Sequence, residues 1–376
     1  MSGIYIHIPF CKKACHYCNF HFSTKMTLKS DLVKAISLEL DNKRDYLSED
    51  KIRTIYFGGG TPSVLTDTEL SNILDSVYKN HNVDEGAEIT LEANPDDLSR
   101  AKLHELKKVG VNRLSIGIQS FFDEDLQWMN RSHNSDQAMT CVKEAQYLGL
   151  ENISVDLIFG NPTSSKSIWQ QNLEMTNALD IPHISCYGLT VEPETALEKM
   201  IKLGKSVAPK EEDYAEQFVG TMEQLTSMGY DHYEISNYAK RGQISKHNTN
   251  YWRQEKYLGV GPAAHSFNGT TRQWNVNNNP KYIAAITNNT KSFELEVLTP
   301  KDTYNEFLMT GLRTKWGCSK VRIFDVSDSQ KNTLQFLIEG YIQAGEMVEV
   351  DDQIKLTNKG RLIADHIISS LFVNEL

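Results

Sequence analysis

The chain has little positive charge to spare and no long apolar run. Its 39 Lys and Arg stand against 49 Asp and Glu, a formal charge of −10. That balance argues against a general grip on nucleic acid, which needs net positive faces. No apolar stretch approaches the ~20 residues of a membrane-crossing helix. The opening "MSGIYIHIPF" lacks a basic start, a long apolar middle and a small-residue cleavage site. No secretory signal is therefore expected, and a cytoplasmic location is, where thiols stay reduced. A disulfide framework is not indicated either. Of six cysteines, Cys11, Cys15 and Cys18 crowd together while Cys141, Cys186 and Cys318 are scattered, and such clustering reads as ligation. Low-complexity segments are lacking as well.

What is present is an ordinary globular balance, 40% hydrophobic and 23% charged over 376 residues, enough for one large α/β domain and a smaller one. Six β-rich runs recur: "IYIHI" (4–8), "TIYFG" (54–58), "EITLE" (88–92), "RLSIGIQ" (113–119), "ISVDLIF" (153–159) and "HISCYGL" (183–189). Their near-continuous apolarity suits parallel strands buried on both faces. Helical patterns separate them. Leu28, Leu32, Ile36 and Leu40 mark one helix face, and "TDTE" (66–69) opens another helix with a capping box. Repeated strand–helix units predict a parallel βα arrangement, and six of them fall short of a full eightfold barrel. The expected fold is α/β, an open, partial six-stranded (β/α)6 barrel over 1–235. A connecting segment spans 236–299, and an α+β unit resembling a winged helix spans 300–376. That last unit carries slightly more acid than base, so a structural or partner-contact role is expected of it rather than DNA binding.

In such a barrel, functional residues collect at the C-terminal strand ends. The cysteines follow the first run, "GGGTP" (58–62) the second, "EANP" (92–95) ends the third, Gln119 ends the fourth, and Asp156 lies late in the fifth. Each has a plain explanation alone; together at one rim they point to a site. Three thiolates can hold three irons of a [4Fe–4S] cluster and leave the fourth iron open. The competing chemistry is a closed Cys3His zinc site using His16 or His21, which has no need of a glycine run and carboxylates on neighbouring strand ends. An open iron needs a further ligand, and glycines let a backbone approach it. Glu92 or Asp156 suits ribose hydroxyls, and Arg131 in "NRSH" suits a carboxylate.

The CxxxCxxC spacing with Tyr17 between the last two cysteines, followed by GGGTP, resembles the radical S-adenosylmethionine (SAM) superfamily. The runs "YIHIPFC", "FGGGTPS", "LEANPD", "RLSIGIQSF", "NRSH" and "HISCYGLTVEPET" resemble its oxygen-independent coproporphyrinogen III oxidase family. The likeness extends through nearly the whole chain. It implies that Cys11, Cys15 and Cys18 bind a [4Fe–4S] cluster. It further implies that Tyr5, Gly59, Gly60, Thr61, Glu92, Gln119, Arg131 and Asp156 line the SAM site, with Tyr17 beside the cluster. In that superfamily the reduced cluster cleaves SAM to methionine and a 5′-deoxyadenosyl radical.

The family's dehydrogenases resemble one another in a fourth cysteine two residues after the third, and here Phe20 stands in that place. They also carry an N-terminal arm, for which the first strand, expected from about residue 4, leaves no room. Both departures are the pattern of the HemW branch, the family's haem chaperones. "KHNTNYW" (246–252) matches that branch's HNxxYW motif, which makes His247 the candidate haem ligand with Tyr251 and Trp252 beside it. His265 and Cys318 are weaker candidates. The resemblance thus implies a carrier of cluster, SAM and haem that serves client haem proteins of respiration. Peripheral membrane contact is left open, and catalytic residues are left unassigned. The alternative is a coproporphyrinogen III dehydrogenase, which decarboxylates two propionates to vinyl groups.

Overall fold

A computed structural model describes residues 2–47 and 50–375. The six β-rich runs form strands β1 (Ser2–Ile8), β2 (Ile52–Gly59), β3 (Val83–Ala93), β4 (Arg113–Gln119), β5 (Ile153–Phe159) and β6 (His183–Gly188). They pair in chain order, each parallel to the next, with helices over the crossovers as parallel connections demand. Ile4, Ile6, Ile8, Ile55, Phe57, Leu91, Leu114, Ile116, Val155, Leu157 and Ile184 face the helices, where Leu32, Ile36, Leu40, Leu70, Ile73, Leu74 and Val77 complete one core. The helix Asp67–Asn80 starts in the full capping box read from the sequence, with Thr66 and Glu69 each satisfying the other's backbone N–H.

The opposite face of the same strands differs from the sequence expectation. It is buried too, but polar: Thr54, Glu88, Thr90, Arg113, Ser115, Ser154, His183 and Ser185 alternate with the apolar positions, following the period of two along a strand. The polar face lies beneath the site described below.

The sheet does not close on itself. β6 pairs antiparallel with β8 (Asn237–Ala239), which pairs with β7 (Asp231–Glu234). At the other edge β1 pairs parallel with β9 (Tyr257–Val260), followed by β10 (His265–Phe267), β11 (Thr271–Asn275) and β12 (Phe293–Val297). The stretch 236–299, read from sequence as a connection, thus adds strands at both edges of one twelve-stranded sheet. A buried carboxylate ties the far edge down. Glu39, on the helix Lys29–Asn42, accepts from Gly261 N at 2.9 Å, Asn275 Nδ2 at 2.8 Å and the Tyr282 hydroxyl at 2.5 Å.

From Pro300 a second core forms around Leu308, Ile323, Leu334, Ile338, Ile354 and Ile367. It joins the helices Pro300–Gly311 and Asp328–Gln343, the hairpin Met347–Val350/Gln353–Leu356 and a final helix, Ala364–Ser370. This is the expected winged-helix-like order. The hairpin turns through Asp351 and Asp352 at φ 50° and 60°, the left-handed pair of a type I′ turn. The unit is fastened to the sheet by the Arg272–Glu306 ion pair at 2.5 Å, Arg253 stacked over Trp316 at 4.7 Å, and Lys315 on Asp231.

Candidate functional site

Beyond β1 the chain leaves the sheet in a loop with almost no regular structure of its own. It is held by one bond within itself and several from outside. Cys11 N donates to Ser23 O at 3.1 Å, His16 N to Met129 O at 3.2 Å, Leu197 N to His16 O at 2.7 Å, and Asn130 Nδ2 to Ala14 O at 2.7 Å. The glycine run after β2 supplies the closest support. Gly60 N donates to Ile8 O at 2.9 Å and Thr61 N to Phe10 O at 2.7 Å. A Cβ on Gly60 would lie 2.7 Å from Phe10 O, so no larger residue fits between strand and loop. Gly59, at φ 109°, needs glycine for its backbone as well.

The loop and the ends of β2–β6 line a cavity of about 510 Å³. It is lined by Cys11, Cys15, Cys18, Tyr17, Gly59, Gly60, Thr61, Glu92, Gln119, Arg131 and Asp156. Every cluster residue and all but one of the SAM residues expected from the sequence therefore face one space. Gln119 holds a left-handed φ of 68° at the end of β4, a conformation that costs about 1 kcal/mol or more in a non-glycine residue and concentrates at functional sites.

The floor is acidic and enclosed. Glu92 accepts from the Tyr56 hydroxyl at 2.8 Å and Gly59 N at 3.1 Å. Burial, aided by the nearby Asp156 charge, raises its carboxyl to about 7 against those hydrogen bonds. Burial likewise raises Asp156 to about 6, opposed by hydrogen bonds from Ser185 and Ser115 and by the Arg113 charge. Around the thiols the donors gather instead. The Thr61 hydroxyl donates to Cys11 Sγ at 3.3 Å, and Arg131 Nη1 to Cys15 Sγ at 3.2 Å. Burial still pushes the Cys11 thiol up to about 11. Arg131 Nε is buried without a partner. Three thiols flanked by donors, with an unspent guanidinium N–H, fit an anionic thiolate-held cluster and an anionic ligand group beside it.

A zinc site fits less well. Among the described residues no three His, Cys, Asp or Glu side chains are placed to hold a single metal ion. His16 Nδ1 bonds Trp128 O at 2.8 Å, and His21 Nε2 bonds Asn279 Oδ1 at 2.7 Å.

The remaining expected residues lie apart from the cavity lining. Tyr5 sits lower on β1, its hydroxyl 3.0 Å from His7 Nδ1. His247, Tyr251 and Trp252 belong to the helix Lys246–Trp252. His247 is buried: one ring nitrogen meets the Thr54 hydroxyl at 2.8 Å, the other the Tyr251 hydroxyl at 2.9 Å, and its ring stacks on Tyr56 at 4.9 Å. Burial, then the Arg113 charge, lowers its pKa to about 3. His265 on β10 stacks on Trp274 of the neighbouring β11, and Cys318 is buried in the C-terminal core. The sequence reading passed over Asn94, Ser115, Tyr56 and Tyr187. Asn94 stood inside "EANP" and Tyr56 alternates with the apolar positions of β2, so both carried a signal.

A family model described as the radical SAM superfamily matches residues 5–176. The chain is 34% identical to the heme chaperone HemW of Bacillus subtilis (strain 168) over 382 residues, covering 100% of each. It is 36% identical to a radical S-adenosyl methionine domain-containing protein 1, mitochondrial, of Danio rerio over 265 residues, 70% of this chain and 60% of that protein. Of solved structures, coproporphyrinogen III oxidase (HemN) from Escherichia coli superposes with a TM-score of 0.86 over 99% of this chain and 90% of that one, at 21% identity. At that identity the likeness speaks for the fold.

Proposed function

The chain belongs to the HemW family within the radical SAM superfamily, and from that premise we propose that it is a haem chaperone. In this reading it holds a [4Fe–4S] cluster and SAM, binds haem, and passes haem to client proteins, with respiratory haem proteins the first candidates. The observation that carries it is the cavity at the strand ends, which unites three thiols, a glycine-lined wall and two buried carboxylates. Cys11, Cys15 and Cys18 would hold the cluster through three of its irons. With SAM bound, the pair supplies one-electron chemistry that no side chain can. The protein's own share is placement: Gly59 and Gly60 let the cavity wall close against His7 and the cysteine loop, Glu92 and Asp156 offer acceptors for hydroxyls or a cation, and Arg131 offers donors to a carboxylate.

The carrier reading rests at the mouth of the cavity. In the place where a further cysteine would stand, Phe20 is 70% exposed, and Phe22 and Tyr187 line the same cavity. Exposed aromatics beside an apolar wall suit the face of a flat macrocycle. Haem ligation through His247 would require its imidazole to leave Thr54 or Tyr251. The deciding experiment is an anaerobic haem titration of the wild type, His247→Ala and Phe20→Ala, followed in the Soret region. A saturable shift weakened in Phe20→Ala supports haem at the cavity mouth. A shift weakened in His247→Ala alone moves haem to the HNxxYW helix. No specific shift in the wild type removes the carrier reading, and turnover of coproporphyrinogen III becomes the assay.

A further inference from the structure

Five side chains from the cysteine loop, the ends of β2 and β3, and the segment after β4 form one hydrogen-bonded chain across the cavity rim. Cys11 Sγ accepts from the Thr61 hydroxyl at 3.3 Å, and Thr61 Oγ1 accepts from Asn94 Nδ2 at 3.4 Å. Asn94 Oδ1 accepts from Arg131 Nη2 at 2.6 Å, and Arg131 Nη1 donates to Cys15 Sγ at 3.2 Å. A further bond from Arg131 Nη2 to Gly117 O, 2.6 Å, pins the guanidinium to β4.

The chemistry of the members dictates the direction of every proton. A guanidinium can only donate, so Asn94 must turn its carbonyl oxygen to Arg131. Its NH2 then faces Thr61, and that group also can only donate. The Thr61 oxygen is thereby the acceptor, and its single proton is left for Cys11. One amide thus aims donors at two of the three sulfurs.

We infer that Asn94 is a positioning residue that sets the reduction potential of the cluster, acting through Thr61 on Cys11 and through Arg131 on Cys15. Hydrogen bonds to cluster sulfurs stabilise the more negative, reduced state over the oxidised one. The chain therefore makes the cluster easier to reduce by a low-potential one-electron donor. This rests on the cluster reading above.

The test is an anaerobic redox titration followed by electron paramagnetic resonance, without SAM, on reconstituted wild type, Thr61→Val, Thr61→Ser, Asn94→Leu and Thr61→Val/Asn94→Leu. Iron and sulfide are assayed in each. One lost charge-assisted hydrogen bond should change the reduced-to-oxidised ratio at fixed potential about tenfold, or ~59 mV downward for one electron. Thr61→Val and Asn94→Leu should both shift down at full cluster content, while Thr61→Ser stays at the wild-type value. The double variant should shift by less than the sum, because Asn94 acts partly through Thr61. Unchanged potentials in both single variants, or strict additivity, would overturn the inference. Asn94→Leu leaves Thr61 in place and decides the matter alone if Thr61→Val takes up no cluster. A wild type that binds no iron and sulfide would overturn the cluster reading instead.

Discussion

Glu92 shows how far a single side chain is remade by its surroundings. In water it would be ionised at neutral pH; in the cavity floor, burial holds its carboxyl at about 7. The ionised form is the better acceptor for a SAM hydroxyl or cationic group. SAM affinity of the cluster-loaded protein is therefore expected to rise up to about tenfold between pH 6 and 8, the cost of removing one proton held one unit too high. Glu92→Gln should bind SAM about 10–100-fold more weakly, through loss of a charge-assisted bond, and should lose most of the pH dependence. Equilibrium dialysis at the two pH values measures both, and a flat wild-type profile would remove Glu92 from the site. Cys15→Ser should fold with unchanged far-UV circular dichroism yet lose its iron, since a ligand goes while the sheet core is untouched.

At the scale of the element, the cysteine loop is positioned by its neighbours. Gly60→Ala places a methyl against the backbone oxygen and nitrogen of Phe10, at 2.7 and 2.8 Å. Neither can move without the strand or the loop, so the loop is expected to shift and iron uptake to fall while the sheet persists. The helix Lys246–Trp252 makes the contrasting case. His247→Ala removes one of the two partners of Thr54, the partner of the Tyr251 hydroxyl and the ring stacked on Tyr56, and should cost about 3 kcal/mol in denaturant unfolding. A loss below about 0.5 kcal/mol would show that the histidine is not part of the folded core.

Across the whole molecule, buried titratable groups set the pH of greatest stability. Burial lowers His7 and His133 to about 4, His232 and His247 to about 3, and holds His183 well below the usual imidazole range. A histidine with a depressed folded pKa contributes fully above its unfolded value of about 6.5 and loses that contribution as pH falls toward the folded value. Burial raises Glu92 and Glu234 to about 7 and Asp156 to about 6. Such carboxyls work in the opposite sense, contributing fully below ~4 and losing stability as pH rises through 6 to 7. Burial also lowers His81 and His265, so between pH 5 and 6 seven histidines outweigh three carboxyls and cluster-free protein should gain stability as pH rises. The gain should stop near pH ~7, where most histidines are neutral in the unfolded chain and the raised carboxyls offset the rest, and the curve should flatten above it. Urea midpoints across that range test it, and a maximum below pH ~5 would contradict the assignment.

The local sequence determined what local physics can determine. Apolar runs specified β1 to β6, Thr66 and Glu69 specified a helix start, and the cysteine spacing with its glycine run pointed to residues that line one cavity. Those signals are short-range, since strand period, capping and turn chemistry need only a few neighbouring residues. Tertiary structure decided the rest. β8 and β9 extend the sheet at opposite edges through pairings far apart in sequence, and Glu39 holds the β9 side by reaching across more than two hundred residues to Asn275. The same holds within the site. "HNxxYW" reads as an available imidazole until Thr54 and Tyr251 are found on its two nitrogens, and Asn94 reads as a turn residue until Thr61 and Arg131 meet on its amide. A hydrogen-bond partner is a fact of three dimensions, and a one-dimensional pattern names the group without saying which of its lone pairs and protons are already taken.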